Sequence, residues 1–125
     1  MGRRRAKPLF FPPMSEPAHY PEKTCTIDRL VRHKRLVEAA IEGRKTEQRR
    51  DGIYAYPGET FELEGTKFEV VGLTHDRLGD MAEADANAEG YATLADYRDL
   101  ILRMHRGMEW DVEHRVWVHR FRRVG

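Results

Sequence analysis

The chain has 125 residues, 40% hydrophobic and 34% charged, with a net charge of +1, which suits one domain with one core. No apolar run approaches the roughly 20 residues that span a bilayer, and no apolar signal core follows the basic start Met1-Gly2-Arg3-Arg4-Arg5. A single cysteine, Cys25, excludes an internal disulfide, so a cytoplasmic location is expected, with a monomer as the default state.

The net charge hides an uneven distribution. Residues 1–50 hold 13 Lys/Arg against 6 Asp/Glu, residues 51–114 hold 5 against 15, and the last 11 residues carry 4 Lys/Arg and no acid. Basic ends brought to one face would attract phosphate. A merely solubilising charge pattern is the equal alternative.

Residues 1–8 read as a basic disordered tail and 9–125 as the domain. Leu9-Phe10-Phe11 is a short strand or anchor. Pro12, Pro13, Pro17 and Pro21 make the next stretch irregular. His19 and Tyr20 there either stack on a ligand or pin the loop. Lys23 to Ile27 is predicted as a short strand. Asp28 would then cap a helix over Arg29 to Glu42, with Leu30, Val37 and Ile41 at helical spacing. Gly43 fits the left-handed position that ends many helices.

Lys45 to Arg50 reads as extended. Alternation places Thr46, Gln48 and Arg50 on one face and Lys45, Glu47 and Arg49 on the other. Asp51-Gly52 is a turn, and Ile53 to Tyr56 a short strand or loop. Thr60 to Glu64 and Lys67 to Val71 alternate cleanly, joined by Gly65-Thr66 as a hairpin; the second strand extends to Leu73 if Gly72 marks a bulge. Asp80 with Glu83 looks like a capping pair for a helix over Met81 to Ala88. Thr93 to Asp96 opens another helix, with Leu94, Tyr97, Leu100, Ile101 and Met104 on its apolar face and Gly107 at its end. Arg115 to Val124 is a long closing strand. Strands with helices inserted between them, without regular βα alternation, predict an α+β fold: a small β-barrel with helical insertions.

The run Gly43-Arg44-Lys45-Thr46-Glu47-Gln48-Arg49-Arg50 after a helix resembles the pattern G-x-K-x-x-E-x-R of the ASCH domain, in the PUA-like superfamily. Gly43, Lys45 and Arg50 match; Gln48 stands where the family usually has Glu. The run from Leu78 to Leu94 looks like the helical insertion of these proteins, and Trp117 to Phe121 like their ending. The resemblance covers most of residues 23–124. It implies a PUA-like β-barrel with a cleft between barrel and helices, lined by the motif, and a role in binding RNA or a nucleoside. Some members are amidohydrolases acting on N4-acetylcytidine and others are ribonucleases. The hydrolases use a lysine, a threonine and a glutamate. Lys45 matches the first and Glu89 is a match for the last. The threonine falls at Gln48, with Thr46 as the nearby substitute.

The expected catalytic set is therefore Lys45, Glu89 and Thr46, and the expected RNA or nucleotide contacts are Thr24, Arg29, Gly43, Lys45, Gln48 and Arg50. Each has a plainer alternative. A buried Lys45 has a lowered pKa and can act as a base; a charged one holds phosphate; a solvated one does neither. Gln48 can pair with a base edge or with backbone. Arg50 can hold phosphate or an internal carboxylate such as Glu89 or Glu47. Glu89 is an acid/base partner for Lys45 or a helix-end carboxylate. Tyr54, Tyr56, Trp110 and Trp117 can stack on bases or belong to core and loops. The six histidines lack metal-ligand spacing, and no phosphate-cradling glycine loop is present. No metal and no cofactor is expected.

Overall fold

The computed structural model describes residues 20–107 and 109–125. The expected tail over 1–8, the Leu9-Phe10-Phe11 segment and His19 lie outside the described residues. The described chain forms, in order, helix α1 (Lys34–Ile41), strand β1 (Glu47–Arg50), strand β2 (Thr60–Leu63), strand β3 (Thr66–Arg77), helix α2 (Glu83–Glu89), helix α3 (Leu94–Met104) and strand β4 (Arg115–Arg123). The strands make one antiparallel sheet, ordered β1-β4-β3-β2. The result is α+β, a curled half-barrel sheet with three helices, in the predicted class.

The hairpin β2–β3 forms as its alternation dictates, with Phe61 opposite Phe68. Its two-residue turn is Glu64-Gly65, both with positive φ, one residue earlier than predicted. β3 runs past Leu73 to Arg77 because β4 pairs with it along almost its whole length. An irregularity between Val70 and Gly72 leaves Val71 out of the ladder and exposed, and such a bulge bends a strand. The bend lets one face close on a core of Leu30, Val37, Ala40, Phe61, Phe68, Val70 and Phe121. The three phenylalanine rings stack or meet edge to face at 5.5–5.7 Å, the arrangement their quadrupoles favour.

Two predicted elements change. Lys23 to Ile27 is not a strand; its link to the body includes one backbone bond, Thr24 N–H to Ile53 carbonyl at 2.9 Å. The first long helix begins at Lys34 rather than Arg29, and its cap is His33 rather than Asp28. The cause is local. Leu30 and Val31 are buried, and the Arg50 guanidinium occupies the Arg29 and Leu30 carbonyls that a continuous helix would need for its own ladder.

The later helices keep their places with altered ends. Asp85, not Glu83, accepts from the backbone at the start of α2, taking the Ala82 N–H at 2.8 Å. Glu83 instead accepts from the Leu94 N–H, tying α2 to α3. The Thr93 hydroxyl caps α3 by accepting from Asp96 N–H at 3.0 Å, as predicted. Ile53 to Tyr56 runs as a loop.

Candidate functional site: the free edge of the first strand

Among the described residues β1 pairs with β4 on one side only. The Phe121 N–H donates to the Thr46 carbonyl at 3.0 Å, and Gln48 lies opposite His119. In an antiparallel ladder the hydrogen-bonding residues alternate, so the backbone groups of Glu47 and Arg49 face the open edge. Side chains cap both carbonyls. The Lys45 ammonium donates to the Glu47 carbonyl at 2.6 Å, and the Gln48 amide to the Arg49 carbonyl at 3.3 Å. An edge blunted in this way cannot recruit a further strand.

The Lys45 face is closed. Its ammonium also donates to the Glu89 carbonyl at 2.8 Å and approaches a Glu89 carboxylate oxygen at 3.4 Å. All three donors of the ammonium are thereby matched, and the side chain is 0% exposed. Arg49 completes the cluster, bridging Glu47 and Glu89 at 2.9 Å each. Arg120 holds the other oxygen of Glu47 at 3.2 Å. Burial lowers the pKa of Lys45; Glu89 pulls it back up, and the net direction is down. Burial works the same way on Arg49, but there Glu89 and Glu47 prevail and its pKa rises.

Glu89 is the last residue of α2, where the helix dipole disfavours a carboxylate. The two cations compensate for that position. Gly90 turns the chain at once, with φ +104°, and a Cβ there would stand 3.3 Å from a Leu36 methyl. Glycine fits both demands, and the turn is what aims Glu89 back at β1.

The Gln48 face is open in hydrogen-bonding terms. Gln48 is 8% exposed, and its Oε1 is buried without a partner among the described residues. The Arg49 carbonyl below Nε2 fixes the orientation of the amide, because the flipped form would set two oxygens against each other. Arg50 has a buried Nε without a partner among the described residues, while its terminal nitrogen donates to the Leu30 carbonyl at 2.7 Å. Its guanidinium lies 5.1 Å above the Tyr54 ring. Tyr54 in turn meets His119 edge to face.

His119 is fully buried. Its Nε2 accepts from the Tyr54 N–H at 3.0 Å, so Nδ1 carries the proton and donates to the Gln48 carbonyl at 3.1 Å. Burial pushes its pKa down to about 4. A second proton would also face the Tyr54 N–H. Tyr91, beyond Gly90, is half-buried; burial and then Glu89 raise its pKa, against opposing effects of Arg35 and Arg50.

The predicted residues therefore separate. Lys45 and Glu89 meet. Gln48 and Arg50 share the same edge but not the Lys45 cluster. Thr46 is exposed beside buried Lys45 and belongs to the β4 ladder through its carbonyl. Thr24 is exposed, its hydroxyl standing where a Cβ on residue 52 would be. Arg29 gives Arg50 its carbonyl rather than joining with its guanidinium. Gly43 has the left-handed φ of +88° expected after a helix and open space around it.

Arg49, Arg120 and His119 were not in the predicted set, and Tyr54 was read only as a candidate for stacking on a base. Alternation had already put Lys45, Glu47 and Arg49 together, and His119 lies between Trp117 and Phe121 on an inward face; both were readable signals.

Neither family models nor curated proteins match this sequence. Solved structures do. An ASCH domain from Lactobacillus crispatus JV V101 superposes with a TM-score of 0.54 at 14% identity, over 70% of this chain and 69% of that one. The chain has the ASCH fold. A protein of Enterococcus faecalis V583 labelled DUF984 gives a TM-score of 0.57 at 15% identity, over 72% of this chain and 67% of that one. At such identities the likeness establishes the ASCH fold and leaves residue roles to the geometry. Among the described residues no helix is long and apolar enough to cross a membrane.

Proposed function

We propose that this ASCH-fold protein binds RNA or a nucleotide-like ligand at the free edge of β1, with Gln48 pairing to a base edge and Arg50 beside it. The observation that carries this reading is the unpartnered Gln48 Oε1. A buried polar atom left unpaired costs about 1–3 kcal/mol, and a ligand N–H that takes the oxygen as the amide turns outward recovers that cost. A base amino or imino group is such a donor, and the amide offers both an acceptor and donors to it. The resemblance of the Gly43 to Arg50 run to the ASCH motif points to the same ligand class.

Lys45 and Glu89 support the site from behind: their bonds fix the edge carbonyl and the Gly90 turn. The test is a binding screen of nucleosides, nucleoside monophosphates and short RNA at low salt, with Gln48→Leu as control. Wild type should bind with an affinity that falls as salt rises, and Gln48→Leu should lose about tenfold or more. Equal binding by both proteins would remove Gln48 from the site.

A hydrolase reading rests on a separate observation, the buried Lys45 ammonium 3.4 Å from the Glu89 carboxylate, where burial lowers the lysine pKa. There Lys45 would be the base, Glu89 the proton carrier, and Thr46 or a water the nucleophile, acting on an N4-acetylated cytidine. Incubation with N4-acetylcytidine followed by chromatography decides it. Cytidine release by wild type and not by Glu89→Gln supports hydrolysis; no release by wild type ends that version.

A further inference from the structure

We propose that His75 and Trp117 form a stacking platform for a second base, so that the preferred ligand is a single-stranded RNA of at least two nucleotides rather than a free nucleoside. The inference rests on the base reading of the Gln48 edge and extends it along the sheet.

Trp117 lies between two neighbours in register, Arg50 on β1 and His75 on β3. Residues opposite one another in a ladder project to the same face, so the three form one row. Within it the His75 and Trp117 rings are parallel, 4.2 Å between centroids and 4° between planes. Trp117 is half-buried and His75 exposed. β2 pairs with β3 only from Thr66 to Glu69, so beyond that hairpin no described strand lies alongside His75. The imidazole ends a stack whose next layer is open among the described residues.

Two arginines flank the platform, and the acids nearest it are paired, Asp51 with His114 and Asp80 and Glu113 with Arg77. Arg115 donates to the His75 carbonyl at 3.3 Å and follows the platform along β4. Arg50 flanks it on the other side. His114 stands at the same end, paired with Asp51 at 2.8 Å. Asp76 faces the opposite side of the sheet, toward Arg120. Aromatic faces with nearby cations bind single strands without regard to sequence, because every base presents a π-face.

Position links the platform to the Gln48 edge. Gln48 lies opposite His119 and His119 opposite Leu73, so Gln48 and His75 are two strands and two residues apart on one face, about 12 Å by strand spacing and rise. One nucleotide at Gln48 and another of the same strand over His75 span that offset. A lone nucleoside would leave one of the two unused.

The test uses the Trp110→Phe background, in which Trp117 is the one remaining tryptophan, and reads its fluorescence during titration with a six-nucleotide single-stranded RNA and, separately, cytidine 5′-monophosphate. The RNA should quench the signal. His75→Ala should weaken the RNA by about tenfold and leave the mononucleotide unchanged, and His75→Tyr should restore the RNA affinity. His75 is exposed, and circular dichroism checks that each variant is folded. RNA binding unaltered in His75→Ala overturns the platform while leaving the Gln48 reading intact. Loss of mononucleotide and RNA binding together in Gln48→Leu, with loss of RNA binding alone in His75→Ala, supports both. Failure of wild type to bind either ligand overturns both.

Discussion

The two faces of β1, one closed around Lys45 and one open at Gln48, are built from similar residues and do opposite things. On one face Lys45, Arg49, Glu47 and Glu89, with Arg120 on the second Glu47 oxygen, satisfy one another out of water. On the other, Gln48 is nearly as buried and Arg50 partly so, and both keep polar atoms without partners among the described residues. A closed ionic cluster holds a shape; an incomplete polar site can hold a ligand. The motif Gly43 to Arg50 supplies both, and its charge is spent mainly on the first.

The largest effect should come from breaking the closed face. Arg49→Met leaves Glu47 and Glu89 buried with less positive charge, and a buried pair broken on one side costs about 3–5 kcal/mol. Urea denaturation should show that loss; a loss under about 1 kcal/mol would mean the cluster is looser than its distances indicate.

Next is the pH response of the open face. His119 has a folded pKa of about 4 against about 6.5 unfolded. The unfolded chain therefore takes up the proton first as pH falls. The contribution is fully present above about 6.5 and lost progressively toward 4, up to about 3 kcal/mol. Stability measured from pH 7.5 to 4 should fall through that window, and His119→Asn should flatten the fall. An unchanged slope in the variant would assign the acid sensitivity elsewhere.

On the same face, Gln48→Leu should change stability by no more than about 1 kcal/mol, since an unpaired buried oxygen is removed along with one long hydrogen bond. Its effect belongs to ligand affinity. The smallest effect is expected at the exposed pair Arg122–Glu69, 3.2 Å apart: Arg122→Ala should stay within about 0.5 kcal/mol in the same denaturation.

The fold was legible where period and punctuation agreed. The hairpin, α3 with its Thr93 cap and the long last strand all follow from alternation and helical spacing. The start of α1 was not, because the residues 29–33 have helical spacing and only the reach of Arg50 from β1 takes their carbonyls away. Of the site, the meeting of Lys45 and Glu89 was legible through the ASCH resemblance. The separation of Lys45 from Gln48 and Arg50 was written in the alternation itself. That charge would be neutralised on one face and left incomplete on the other was not, since it depends on Gly90 aiming Glu89 at the strand, a contact 44 residues apart in sequence.

The central claim is that the Gln48 amide meets the ligand. Gln48 is the chain's only glutamine and Asn87 its only asparagine, so a 15N spectrum contains two side-chain amide pairs. Asn87 is held by the Tyr91 and Ala92 carbonyls at 2.9 and 3.0 Å and serves as an internal reference. Titration with the six-nucleotide RNA should move the Gln48 amide pair in step with binding and leave the Asn87 pair in place. Saturation of binding with the Gln48 pair unmoved would contradict the account.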